Sequence, residues 1–367
     1  MPSQNQKSTP GSEQDSLPCQ FIPSTEIQRF VSACLAKAGA DTASVDAVTR
    51  SLVGASLRGV DSHGIRLLPH YVKALRGGRI NGAPQLKFSR RSGCSGCLDA
   101  DDGFGHLAGY RAIEEATTLA QENGLGAVSV INSSHFGAAG SYPLVAAEAG
   151  YLALCFSNSD KLVLPFSGLL PFHGTNPISF AAPVANQHPY LLDMATSSIP
   201  LNRVLQYRAI SRPLPEDVAV NDAGETTIDA AQVSALLPVG GQGYGYKGAA
   251  LAGLCEILCA ALTGMGFSHQ LLAMAGPDYS SRRHLGHFFL VIKPEAFIER
   301  DIYFQQMDLY LADLRAQVAE SGAKVMAAGD REWAEQERRR ATGIPVDHAV
   351  LAEFADLARE FELQPLN

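Results

Sequence analysis

Residues 61–64 read Asp61-Ser62-His63-Gly64, a carboxylate, a hydroxyl and an imidazole in succession. An apolar-periodic run precedes them (Val45, Val48, Leu52 and Ala55, closed by Gly59), and a second amphipathic run starts just after. Catalytic groups are often held on a short connection between rigid elements. Imidazole is also the side chain most easily tuned to exchange a proton near neutral pH. His63 is therefore the candidate acid–base residue. His135 is a second candidate, in the polar turn Asn132-Ser133-Ser134-His135-Phe136-Gly137. That turn lies between an apolar strand and a helix, where open α/β sheets bind ligands; a purely structural hydrogen-bonding role fits His135 as well. Thr175 and Asn176, in Gly174-Thr175-Asn176-Pro177, can offer a hydroxyl and an amide to a ligand or simply make an Asn-Pro turn. Asp193 follows the strand Tyr190-Leu191-Leu192. A carboxylate there can orient an imidazole or hold a ribose, or cap a helix with Thr196.

Other motifs say less. Gly243-Tyr244-Gly245-Tyr246-Lys247-Gly248 formally matches GxGxxG and runs into a helix. A dinucleotide fingerprint also needs a preceding strand and an acidic residue roughly 20 positions on, and both are missing. The stretch reads better as a flexible Gly-rich loop whose N–H groups and Lys247 face an anion, or as a plain chain reversal. Cys94-Ser95-Gly96-Cys97 has no second pair to complete a zinc site, and reads as surface thiols. Cys255 and Cys259 read as core packing. The histidines show neither HxxxH nor HExxH, so no metal site is expected.

The elements that must position these groups follow from periodicity. Thr25 and Gln28 have capping-box spacing and should open a helix that stops near Gly39. Further helices are expected over 41–58 and 65–75, the latter with Leu68, Tyr71, Val72 and Leu75 on one face. Helices over 110–121 and 142–149 then alternate with strands over 127–131 and 152–156. Strands over 178–182 and 190–192, a long apolar helix over 247–262 and a strand over 287–292 follow. Residues 211–235 read as a surface excursion, and helices return around 301–317, 331–340 and 349–361. The expected organisation is a disordered tail (1–22), an N-terminal helical segment (23–88), an α/β core (89–300) and a C-terminal helical segment (301–367) packing on the N-terminal helices.

Composition limits the classes. Of 367 residues, 46% are hydrophobic and 18% charged, with net charge −8. That suits a soluble globular enzyme-sized chain of two or three packed units. The clustered Lys/Arg of a nucleic-acid binder is lacking. The densest basic run, Glu337-Arg338-Arg339-Arg340, reads as a solvated helix face. No apolar run approaches the roughly 18 residues of a membrane span. Seven cysteines without framework spacing suggest reduced thiols in the cytoplasm.

Taken together, these segments resemble the type 2 malate/L-lactate dehydrogenase family. The matching strings are DSHG (61–64), PHYVKALRGGRING (69–82), SSHFGAAGSY (133–142), GTNPISFAAP (174–183), LDMATS (192–197), LLPVGG (236–241), YKG (246–248), LTGMGF (262–267) and GHFFLVI (286–292). The resemblance implies NAD(P)-dependent oxidoreductases with a non-Rossmann nucleotide-binding sheet, working as homodimers. Members reduce 2-oxo acids, oxidise hydroxy acids such as malate, sulfolactate or ureidoglycolate, or reduce cyclic imino acids. It implies His63 as proton donor, Ser62 as its hydrogen-bonded helper and His135 beside the nicotinamide. Thr175 is implied as a substrate contact, and Ser159 and Arg66 are further candidate substrate contacts. Cofactor contacts are implied at His135, Phe136, Gly137, Ala138, Ala139, Asn176, Asp193, Met194, Ala195, Arg203, Lys247, Gly248 and Gly286, with NAD or NADP left open.

Three departures surround that site. The family's carboxylate-gripping Arg, four residues after the catalytic His, is Leu67 here, and Arg66 lies one residue earlier. Its Arg-Gly-Lys after LDMATS is Leu201-Asn202-Arg203. An insertion appears around 243–246. Since Arg203 replaces an Asp that partners the acid His in imino-acid reductases, Asp61 or Asp193 must orient His63, or nothing does. The expected activity is NAD(P)H-dependent reduction of a 2-oxo or 2-imino carboxylate. A dehydrogenase acting on a 2-hydroxy acid and a catalytically silent binding scaffold are the alternatives.

Overall fold

The computed structural model describes residues 19–366. In chain order the elements begin with β1 (Cys19–Ile22), α1 (Ser24–Ala38), α2 (Thr42–Leu57) and α3 (Leu68–Arg76). The middle of the chain supplies β2 (Lys87–Arg90), β3 (Ser95–Asp99), α4 (Gly105–Asn123), β4 (Leu125–Ser133), α5 (Ser141–Glu148), β5 (Leu152–Ser157), β6 (Ile178–Ala182) and β7 (Tyr190–Met194). Then come α6 (Leu201–Ala209), β8 (Ala219–Val220), β9 (Ala235–Leu236), α7 (Gly241–Glu256) and β10 (Leu285–Ile292). The last elements are α8 (Arg300–Arg315), α9 (Asp330–Thr342), β11 (Ile344–Asp347) and α10 (His348–Phe361).

The centre is a seven-stranded sheet in the order β2-β3-β4-β10-β5-β6-β7. Only β3 and β4 run parallel; every other neighbouring pair is antiparallel. The alternation in β4 explains its place. Val128 and Val130 are fully buried and share a core with Ile113, Ala116 and Leu119 of α4, as period-two side chains on a covered face should. Gly126 sits so close to α4 that a Cβ there would lie 1.9 Å from the Ala116 carbonyl oxygen.

This register gathers particular strand ends. Ser133 at the end of β4 pairs with Leu285 at the start of β10, and Ser157 at the end of β5 pairs with His287. Ile178 at the start of β6 pairs with Phe156 and Met194. The connections after β4, β5 and β7 and before β6 and β10 therefore all open at one end of the sheet.

A second core joins both ends of the described chain. Ile27, Phe30, Val48, Leu52 and Tyr71 pack in one cluster with Phe354 and Leu357 of α10. Cys19–Ile22 form β1 against β11, with Ile22 paired to Ile344. The tail expected without structure over 1–22 is thus corrected for these residues, and its remainder lies outside the described residues. The capping box is corrected too: α1 starts at Ser24 behind Pro23, with no side-chain cap. Gly39 closes α1 at φ 105°, and Asp41 caps α2 by accepting the Ser44 N–H at 2.8 Å. Sequence periodicity missed α6 and the short strands β2 and β3. Among the described residues no helix is long and apolar enough to cross a membrane.

Candidate active site

His63 and His135 come from different parts of the fold and meet. His63 lies on a 3-10 turn between α2 and α3, and His135 follows β4 at the gathered sheet end. Their rings stack with centroids 5.7 Å apart and planes at 22°. Both are half-buried, so they line a crevice rather than a sealed core. The Ser62 hydroxyl is 2.9 Å from His63 Nδ1. The Tyr71 hydroxyl is 2.6 Å from His135 Nδ1. Burial raises the Tyr71 pKa, so the phenol stays neutral. As donor to Nδ1 it fixes the proton of neutral His135 on Nε2, and as acceptor it fixes that proton on Nδ1. Burial pushes the His63 pKa down to about 4. His135 is also held well below the usual imidazole value, first by burial and then by the charges of His63 and Arg283.

The carboxylates do not orient His63. Asp61 is taken bidentately by Arg339, at 2.6 and 2.8 Å. Arg339 is buried and also donates to the Ser56 carbonyl at 2.6 Å. The solvated-face reading of 337–340 is therefore wrong for Arg339. Asp193 accepts the Gly140 N–H at 2.8 Å. Instead, Asn202 donates its side-chain amide to the Ser62 carbonyl at 2.7 Å and ties α6 to the His63 turn. Arg66, expected to contact substrate, is engaged by Asp347 at 2.9 Å. That aspartate also caps α10.

Substrate candidates cluster beside the histidines' sheet end. Ser159 Oγ accepts the Thr175 N–H at 3.0 Å and lies 3.3 Å from Thr175 Oγ1. Asn176 is fully buried and accepts the Ser159 N–H at 3.1 Å. Arg283 pairs with Asp160 at 2.5 Å and anchors the loop before β10 through the Leu272 carbonyl.

Asp193 is solvent-accessible although protein crowds it. That crowding raises its pKa to about 6, with the Gly140 N–H and the Arg58 charge pulling the other way. Met194 and Ala195 are half-buried beside it. Gly137 turns the chain at φ 73° and leads into buried Ala138 and Ala139. Phe136 stacks on His287 at 4.5 Å, and His287 is itself held by Ser157 and Ser133. Arg203 is exposed and bonds Gln206. Gly286 packs on the chain, where a Cβ would lie 1.9 Å from the Cys259 carbonyl oxygen.

The Gly-rich stretch departs from expectation. Residues 243–248 are helical, because α7 already begins at Gly241. Its N-terminus is occupied by the Asp217 carboxylate, which accepts the Gln242 N–H at 2.9 and 3.1 Å. The anion-facing loop is thereby corrected: the chain supplies its own anion there. Lys247 stands over the rings of Tyr244 and Tyr246, at 5.3 and 5.9 Å. Gly248 packs on Val239. Cys94 is exposed, Cys255 and Cys259 are buried, and all are free. Among the described residues no three or more His, Cys, Asp or Glu side chains gather as metal ligands would.

Sequence reasoning missed Tyr71 and Glu256, and met Asn202 only as a departure from the family strings. Tyr71 was visible only as part of an apolar face. Glu256 did carry a signal, as a lone carboxylate within an apolar helix.

Known proteins are similar to this chain in sequence and fold. The malate/L-lactate dehydrogenase family profile matches residues 22–355. A malate dehydrogenase of Pyrococcus abyssi is 34% identical over 94% of this chain and 96% of its own. A ureidoglycolate dehydrogenase (NAD(+)) of Escherichia coli is 32% identical over 74% and 77%. A (2R)-3-sulfolactate dehydrogenase (NADP(+)) of Chromohalobacter salexigens is 32% identical over 76% and 82%. Among solved structures, malate dehydrogenase from Entamoeba histolytica superimposes with a TM-score of 0.89 at 28% identity, over 95% of this chain and 99% of that one. A delta1-piperideine-2-carboxylate reductase from Pseudomonas syringae gives 0.82 at 28%, over 92% and 100%. The sheet-end crevice with its paired histidines thus stands in a chain that belongs to the malate/L-lactate dehydrogenase family of NAD(P)-dependent oxidoreductases.

Proposed function

We propose that this chain reduces a 2-oxo or 2-imino carboxylate, with NADH or NADPH as hydride source and His63 as proton donor. The observation that carries the reading is the stacked His63–His135 pair, each ring held at Nδ1 by a hydroxyl. Residues of two other segments suit a dinucleotide: the accessible carboxylate of Asp193 a ribose, and the exposed Lys247 a phosphate. When bound, the nicotinamide supplies the hydride.

Hydride arrival puts negative charge on the substrate oxygen or nitrogen, and an adjacent acid must neutralise it. In the free protein His63 is held down to about 4 by burial. An arriving carboxylate favours the imidazolium, so substrate binding itself arms the acid. With Arg66 engaged by Asp347, the hydroxyls of Ser159 and Thr175 are the groups that receive the carboxylate. Neutral His63 also supports a second reading, oxidation of a 2-hydroxy acid, in which it accepts the hydroxyl proton. Leu169 and Leu170, each 78% exposed, support association into a homodimer.

Titration of NADH and NADPH fluorescence, followed by a panel of 2-oxo, cyclic imino and 2-hydroxy acids, tests these readings. Binding of neither cofactor would leave only a scaffold role. His63→Ala should lower turnover by about 10²-fold or more with cofactor binding kept; near-normal turnover removes His63 from the chemistry.

A further inference from the structure

Glu256 ends α7 where the helix widens into a π-helical turn over Ile257–Ala261. Such turns recur at functional positions. It is only 5% exposed. A buried carboxylate must be compensated by a cation or by several donors. Here the compensation comes from neutral donors in three separate segments. Asn176 donates its side-chain amide to Oε1 at 2.8 Å, and the Ser268 hydroxyl donates to the same oxygen. The Ser268 backbone N–H donates to Oε2 at 3.1 Å, and the Asn158 amide reaches Oε2 at 3.5 Å.

Two of those donors are chain neighbours of the substrate hydroxyls: Asn158 precedes Ser159, and Asn176 follows Thr175. Asn176 also has φ 31°, a left-handed backbone that costs a non-glycine residue free energy unless its surroundings hold it. Its amide is fixed at both ends, by Glu256 on the nitrogen and by the Ser159 N–H on the oxygen. Ser159 in turn accepts the Thr175 N–H.

We propose that Glu256 is the positioning residue of the substrate side, holding Asn158 and Asn176 so that the Ser159 and Thr175 hydroxyls meet the substrate carboxylate. The inference rests on the function proposed above.

The test is Glu256→Gln, which keeps the shape but turns an NH2 group against inward-pointing donors. The best acid from the panel is used, with active protein counted by nicotinamide titration. Cys259→Ala, a buried neighbour in the same turn, controls for lost stability. Glu256→Gln should raise KM for the acid about tenfold or more. The nicotinamide Kd should stay within about twofold, and Cys259→Ala should leave KM unchanged. An unchanged KM in Glu256→Gln, or an equal rise in Cys259→Ala, overturns the positioning role. A wild-type protein that turns over no acid overturns the functional reading, and this inference with it.

Discussion

His63 has no carboxylate partner among the described residues, and that shapes its chemistry. Arg339 draws off Asp61, and the Gly140 N–H takes Asp193. A hydroxyl partner such as Ser62 does not favour the imidazolium as a carboxylate would, so burial lowers the pKa unopposed. The geometry rests instead on Asn202, which grips the Ser62 carbonyl. One such bond contributes about 0.5–1.5 kcal/mol. Asn202→Ala should therefore lower kcat by up to about tenfold while leaving cofactor affinity alone; an unchanged kcat would mean the turn holds itself. His63 and His135 were legible in the sequence because imidazoles in polar turns beside apolar runs are uncommon and chemically pointed. Asn202 was legible only as a departure, since its partner lies far away in the chain.

At the scale of elements, α7 shows how a motif misleads. Six residues that read as an anion-facing loop or a chain reversal are the first turns of a helix, and the deciding group is Asp217 from a preceding excursion. The same helix explains Gly286, which the family resemblance placed among cofactor contacts. The π turn presents the Cys259 carbonyl so closely to β10 that no side chain fits at Gly286. Gly286→Ala should cost about 1–3 kcal/mol or more through overpacking. Chemical denaturation reads that loss, and a wild-type midpoint would show that the strand and helix separate freely.

For the whole molecule, the histidines predict acid lability. Burial lowers His63 and His70 to about 4, lowers His106 and His287 to about 3, and depresses His135 as well. Each of these groups takes up its proton more readily when unfolded, near 6.5. Their stabilising contribution is thus complete above that value and is lost as pH falls toward 4 and below. Asp193 opposes them: raised from 3.8 to about 6, it favours the fold at low pH and loses that contribution as pH rises through 6. His173, also lowered by burial, joins the histidines, and Asp102, also raised by burial, joins Asp193. The histidines outnumber the two carboxyls and should make urea midpoints fall steadily between about pH 6.5 and 4. A flat profile would show that these histidines stay solvated.

Local pattern alone determined the apolar strands, most helices and the two candidate imidazoles, though not their stacking, because period and residue type are properties of neighbours in the chain. It could not reveal β1 with β11, Arg339 on Asp61, Arg66 on Asp347 or Asn202 on Ser62. Each of these joins residues far apart in sequence, and hydrogen-bonding partners are chosen by proximity in space. The tertiary structure decided them, and with them what holds the His63 turn and what engages Arg66.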